Sequence, residues 1–151
     1  MNLDISIDDR EWRAVPNLRG LARTAVLAVL PDDDVSIGLL FTSDAKIAEI
    51  NGQWRGKASP TNVLSFPVSA ATPVPEGEPR PLGDIVMAYG VVSREAQEQK
   101  KPFAHHVTHL IVHGVLHLLG YDHENDDEAG AMEAREIMIL SELGMGNPYT
   151  P

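Results

Sequence analysis

The run His113-Gly-Val-Leu-His117-Leu-Leu-Gly120-Tyr-Asp-His123 constrains this chain more than any other stretch. Residues four apart on a helix lie on one face, a turn apart, so His113 and His117 reach a single ion from one helix. His123 cannot join them from that helix. It follows Gly120, the residue type best able to end a helix in a left-handed conformation, and the chain can then turn back and deliver a third imidazole from outside. Three neutral imidazoles with a fourth position open describe a catalytic zinc centre, whereas a structural site closes the tetrahedron with a fourth protein ligand, usually cysteine. The chain has no cysteine. Two histidines at four-residue spacing occur by chance; the glycine and the third histidine at set offsets make the whole run a metal motif, with one Zn2+ expected per chain.

A length of 151 residues with 43% hydrophobic content predicts one compact domain over residues 1–151. No apolar run approaches the 18 or so residues of a membrane span, and the acidic, alternating N-terminus is unlike a signal peptide, so a cytoplasmic protein is expected. The formal charge of -10 argues against a protein that coats nucleic acid through a basic stripe. It does not exclude an enzyme acting on nucleic acid, because a divalent ion with a few local Arg and Lys side chains makes one cleft positive on an acidic body. Affinity for a polyanion is then weak and strongly salt-dependent.

Alternation predicts strands at Leu3–Asp8, Val35–Phe41, Asn62–Phe66 and Asp84–Ala88. Helical spacing predicts a helix from Pro16 that stops at Pro31, a short one capped by Thr42 or Ser43 and ended by Asn51-Gly52, and a polar one, Arg94–Lys101, capped by Ser93. The helix carrying the metal motif follows, then a last one from about Asp126 to Leu143. Trp54 to Pro60 has loop composition, and Pro67 to Pro81 forms a proline-rich excursion, expected as a flap beside the cleft. The fold class is α+β: a mixed sheet of about four strands, packed with helices around a central metal-binding helix in a zincin-like arrangement.

All six histidines lie between His105 and His123. His105, His109, His113 and His117 recur every four residues, over a length that one ion with bonds near about 2.1 Å cannot bridge. His109 either supports a ligand or stands by as a partly exposed residue; His105 and His106 are expected at the surface. Zinc peptidases carry Glu, a general base, directly after the first histidine of such a motif, and here that position is Gly114. An interior glycine costs a helix about 1 kcal/mol relative to alanine. Close approach by neighbouring backbone or substrate accounts for that, as does simple tolerance of a small residue.

The histidine run resembles the signature of the YbeY family, bacterial metal-dependent endoribonucleases of ribosomal RNA maturation. Two upstream blocks are similar to that family as well, Asn51-Gly-Gln-Trp-Arg55-Gly-Lys through Pro60-Thr-Asn-Val-Leu-Ser-Phe-Pro67, and Leu82-Gly-Asp84-Ile-Val, so the resemblance runs from about residue 35 to 140. It implies His113, His117 and His123 as zinc ligands and Arg55 as a functionally important arginine. It further implies a single-strand-specific endoribonuclease acting in 16S rRNA 3′-end maturation and ribosome quality control. RNA precursors would be its substrate, with ribosomal proteins or an assembly GTPase as further partners. The family usually has Asp where this chain has Asn62, which places any role for that carboxylate in question; Gly114 is the family's normal residue.

Phosphoryl transfer needs charge stabilisation more than covalent help, and zinc with a guanidinium supplies it. Arg55 suits the task, since its planar fork binds two phosphate oxygens at once, although a lone loop arginine is ordinarily a solvated charge. Asp122 is expected to orient a ligand or the turn. Two attacks stay open: by water, leaving a 5′-phosphate, or by the neighbouring ribose hydroxyl, leaving a 2′,3′-cyclic phosphate. Spacing alone also fits a zinc peptidase of metzincin-like layout, and an acidic body fits a non-catalytic ribosome assembly factor stabilised by its metal.

Overall fold

The computed structural model describes residues 1–30, 34–69 and 71–150. Its strands are Asn2–Ile7 (β1), Val35–Thr42 (β2), Val63–Pro67 (β3) and Arg80–Ala88 (β4). Its helices are Arg10–Arg13 (α1), Leu18–Val29 (α2), Asp44–Arg55 (α3), Tyr89–Glu98 (α4), Phe103–Leu118 (α5) and Asp126–Glu142 (α6). One sheet forms in the order β1-β2-β4-β3. β1 and β4 run parallel to β2, and β3 runs antiparallel to β4, so the sheet is mixed, as expected.

The two-residue period of a strand sorts side chains to opposite faces. Ile37, Leu39, Phe41, Ile85 and Met87 join one buried cluster with residues of α2 and α5, and Val86 and Ala88 join another with Leu64 and Ile47 of α3. The sheet therefore lies between α3 on one side and α2 with α5 on the other. α5 is the central helix: it packs against α2, α4, α6, β3 and β4, and Val107, Ile111, Val112, Val115 and Leu116 are fully buried. Burial on several sides makes it a rigid mount, which a site with an open position requires.

Four boundaries depart from expectation, three of them through partners distant in sequence. α1 precedes the first expected helix; Asp9 caps it by accepting from the Glu11 and Trp12 N–H groups, and fully buried Trp12 donates its indole N–H to Thr42 C=O at 2.9 Å. α3 does not end at Asn51-Gly52 but continues to Arg55, because Asn51 reaches out to Ser59 C=O (3.0 Å) and Gly52 leaves room for Ala58, so both serve packing of the following loop. α4 begins at Tyr89, not after Ser93, since the Asp44 carboxylate of α3 accepts the Val91 N–H at 3.0 Å and supplies the cap. β4 starts at Arg80, inside the expected excursion, and Val68 N–H bonds Leu82 C=O at 2.9 Å. The expected stop at Pro31 lies outside the described residues.

Candidate metal centre

His113 and His117 stand one turn apart on α5, with their Nε2 atoms separated by 3.1 Å. The helix closes as glycine at this position predicts: Gly120 has φ +101°, its N–H donates to His117 C=O, and the Tyr121 N–H donates to Leu116 C=O, both at 3.0 Å. These crossed bonds satisfy carbonyls that the last turn would leave free and reverse the chain. His123 is thereby returned toward the helix, with its N–H bonded to Asp122 Oδ1 at 2.8 Å, which is the turn-orienting role expected of Asp122. One ring nitrogen from each of the three histidines lies within 4.8 Å of the others.

A tetrahedral ion with bonds near 2.1 Å holds its nitrogens about 3.4 Å apart, so this donor set fits such an ion. The second ring nitrogen of His113 is tied down. His113 Nδ1 donates to Glu136 Oε1 at 3.2 Å, which leaves its Nε2, beside that of His117, for a ligand. Burial, then the neighbouring His113 and His123, lowers the His117 pKa and favours the neutral ring that coordination requires.

The three imidazoles open onto a cleft of about 760 Å³ that Trp54 and Arg55 also line. Arg55 is not in a loop, as its sequence neighbours suggested, but on the last turn of α3, which Gly56 ends at φ +70°. It is exposed, is the one cation lining the cleft, and has no ion-pair partner among the described residues. Of the stretch expected as a flap, Pro67 alone lines the cleft among the described residues. Asn62 lines it too, donating Nδ2–H to Glu95 at 3.0 Å and accepting the Val63 N–H at 2.7 Å. An Asp at this position would set two carboxylates against each other, so the amide suits its partner.

The sequence model of the family Endoribonuclease YbeY matches residues 5–144. The chain belongs to the YbeY family. It is 45% identical to Endoribonuclease YbeY of Sinorhizobium fredii, across 99% of this chain and 92% of that protein, and 48% identical to the protein of the same name from Chelativorans sp., across 97% and 92%. The corresponding Bradyrhizobium diazoefficiens protein is 49% identical, across 91% of this chain and 79% of its own length. A solution structure of TM1509 from Thermotoga maritima shares the fold, with a TM-score of 0.56 and 23% identity over 99% of each chain.

In this YbeY-family chain, sequence reasoning missed the group that holds the metal motif from behind. Glu136 of α6 is fully buried, within the apolar stripe Met132, Ile139 and Leu140. A carboxylate at that register was the available signal, because a buried charge needs partners. It accepts from His113 Nδ1, from His109 Nε2, and from the Tyr149 hydroxyl, which lies 2.9 Å from both oxygens. Burial raises its pKa, but the hydrogen bonds from His109 and His113 and their charges outweigh that and bring it down to about 2. Burial and the adjacent Glu136 push the Tyr149 phenol up, so it stays a donor. His109 thus supports His113 through a shared carboxylate.

His106 corrects an expectation. It is only 4% exposed, with Nε2 at 2.9 Å from Glu95 Oε1, whereas His105 is exposed as predicted. Gly114 has its explanation in side chains of the sheet: a Cβ there would stand 3.0 Å from Ile85 Cδ1 and 3.2 Å from Ser65 Oγ, and Ser65 donates to Gly114 C=O at 3.3 Å. The helix is seated so closely on β3 and β4 that a larger residue does not fit without displacement.

Proposed function

We propose that this YbeY-family chain is a cytoplasmic, zinc-dependent endoribonuclease that cuts single-stranded segments of ribosomal RNA precursors, including the 16S rRNA 3′ end. His113, His117 and His123 hold one Zn2+, and Arg55 holds the scissile phosphate. The observation that carries this reading is the convergence of three ring nitrogens in a cleft that the unpaired Arg55 also lines. The names of relatives 45% to 49% identical support the nuclease assignment.

Zinc supplies Lewis acidity for phosphodiester chemistry when bound. The chain's own residues do the rest. Arg55 offers a bidentate fork to two phosphate oxygens and neutralises charge that builds up during transfer. Glu136 holds the His113 ring with its Nε2 beside that of His117. Peptidase chemistry is disfavoured, since the position of its glutamate is Gly114, where Ile85 and Ser65 already fill the space. The net charge of -10 suits basic ribosomal proteins or an assembly GTPase as partners during ribosome quality control.

Zinc-loaded protein is expected to cleave a ribosomal RNA precursor and leave casein intact. His117→Ala loses both zinc and cleavage. Arg55→Ala keeps its zinc and loses roughly 100- to 1000-fold in cleavage rate, the scale of removing one charge-stabilising donor. Full activity in Arg55→Ala rules out its assigned role, and casein cleavage without RNA cleavage rules out the nuclease. End-group analysis identifies the nucleophile: a 5′-phosphate means water, a 2′,3′-cyclic phosphate the ribose hydroxyl.

A further inference from the structure

Trp54 is 73% exposed, the most exposed large hydrophobic side chain among the described residues, while the other tryptophan, Trp12, is fully buried. Tryptophan is normally well buried, so an indole left in water at the wall of a cleft calls for an occupant. Its position is specific. Trp54 and Phe66, with ring centroids 6.1 Å apart, line both the imidazole cleft and a second groove of about 490 Å³. The two rings are the partition between these spaces.

The two sides of that partition differ in charge. On the cleft side stand Arg55, the three histidines and one carboxylate, Asp122, whose Oδ1 accepts the His123 N–H. On the groove side are Leu40, Ile50 and Val86 with the carboxylates Asp4 and Asp84, and no cation. A nucleotide meeting this ridge is therefore sorted: its phosphate is attracted to the Arg55 side and repelled from the groove, while its flat, apolar base has an aromatic ridge to lie on. Helix α3 links the two events, because Trp54 and Arg55 are consecutive residues of its last turn.

We propose that Trp54, backed by Phe66, is a stacking platform for an unpaired base flanking the phosphate held by Arg55, an inference that rests on the nuclease reading above. Stacking accepts any base, because every base has a π face, so the platform selects strandedness and not sequence. A base inside a duplex has both faces covered by its neighbours and cannot use it.

Two measurements test this. In the first, a short 2′-O-methyl single strand is added to zinc-loaded protein and indole emission is recorded. Quenching by this strand, with little from an abasic strand of equal length and loss of the response in Trp54→Phe, is the expected result. In the second, Trp54→Ala raises KM for single-stranded RNA roughly 10-fold or more while kcat changes less, zinc content stays at the wild-type level, and Trp54→Tyr restores KM. Equal quenching by the abasic strand overturns the proposal, as does an unchanged KM in Trp54→Ala. Quenching by a basic peptide but by neither strand also overturns it and makes the ridge a protein-docking surface. The binding arm needs no turnover, so failure of the wild type to cut RNA would sink the nuclease reading separately.

Discussion

The two halves of α5 carry the same residue type to different ends. In the C-terminal half, His113 and His117 point a nitrogen each into an open cleft and meet His123 there. In the N-terminal half, His106 and His109 turn to carboxylates, Glu95 of α4 and Glu136 of α6; His106 is buried and His109 mostly so. The helix supplies the same four-residue geometry throughout, so spacing does not decide which histidine is free to bind an ion. What decides is which ring nitrogen meets the carboxylate that another element brings: His106 and His109 face theirs through Nε2, whereas His113 uses Nδ1 and keeps Nε2 in the cleft. Glu136 joins the halves, since it takes one hydrogen bond from His109 and one from His113.

The strongest way to break this division is to weaken the shared carboxylate. In Glu136→Gln the amide cannot accept from His109, His113 and Tyr149 together, and its NH2 faces other donors. Loss of such a supporting partner costs roughly 10- to 100-fold in metal affinity. Competition with a chromogenic chelator measures it, and wild-type affinity in this variant would show that the two halves are independent. Tyr149→Phe removes one donor, leaves the carboxylate, and is expected to have a smaller effect of the same sign.

This division also explains what could be read from the sequence. The imidazole trio depends on helix periodicity and a glycine turn, which are local, and the structure brings those three residues together as their spacing predicts. The four strands and the mixed sheet were legible for the same reason. Glu95, Glu136 and Tyr149 were not, because each reaches α5 from elsewhere in the chain. The same holds for the true start of α4, capped by Asp44 from another helix, whereas the extension of α3 was hidden locally, because the turn-like Asn51 and Gly52 serve packing against Ser59 and Ala58 of the following loop. Arg55 was identified by resemblance and placed in a loop by composition; its helical seat follows from that same extension.

A second perturbation acts on the local side of the comparison. Gly120→Ala imposes a side chain on a residue at φ +101°, at a cost of about 1–2 kcal/mol. No atom lies within 4 Å of the added methyl, so the penalty is conformational and not steric. The unfolding free energy measured in denaturant is expected to fall by that amount, and zinc affinity to fall because the turn that returns His123 relaxes. A variant with lowered stability and unchanged zinc affinity would show that His123 is held by Asp122 alone.

The smallest expected effect concerns the buried half. His106 has its pKa lowered by burial, a shift that the hydrogen bond and charge of Glu95 oppose and that His109 and Lys101 reinforce. These groups face it from α4, from α5 itself and from the α4–α5 connection. In the folded protein the ring therefore stays neutral to lower pH than in the unfolded chain, where it takes a proton near 6.5. The unfolded state binds more protons in that interval, so stability is full above pH 6.5 and falls as pH drops from there toward the folded pKa. In zinc-loaded protein, where the three cleft imidazoles are held by the ion, denaturant unfolding between pH 7.5 and about 5.5 should show this loss. His106→Gln, which can still donate an amide N–H to Glu95, should flatten the profile in that window. An identical pH profile in the variant would move the sensitivity elsewhere and leave His106 as packing alone.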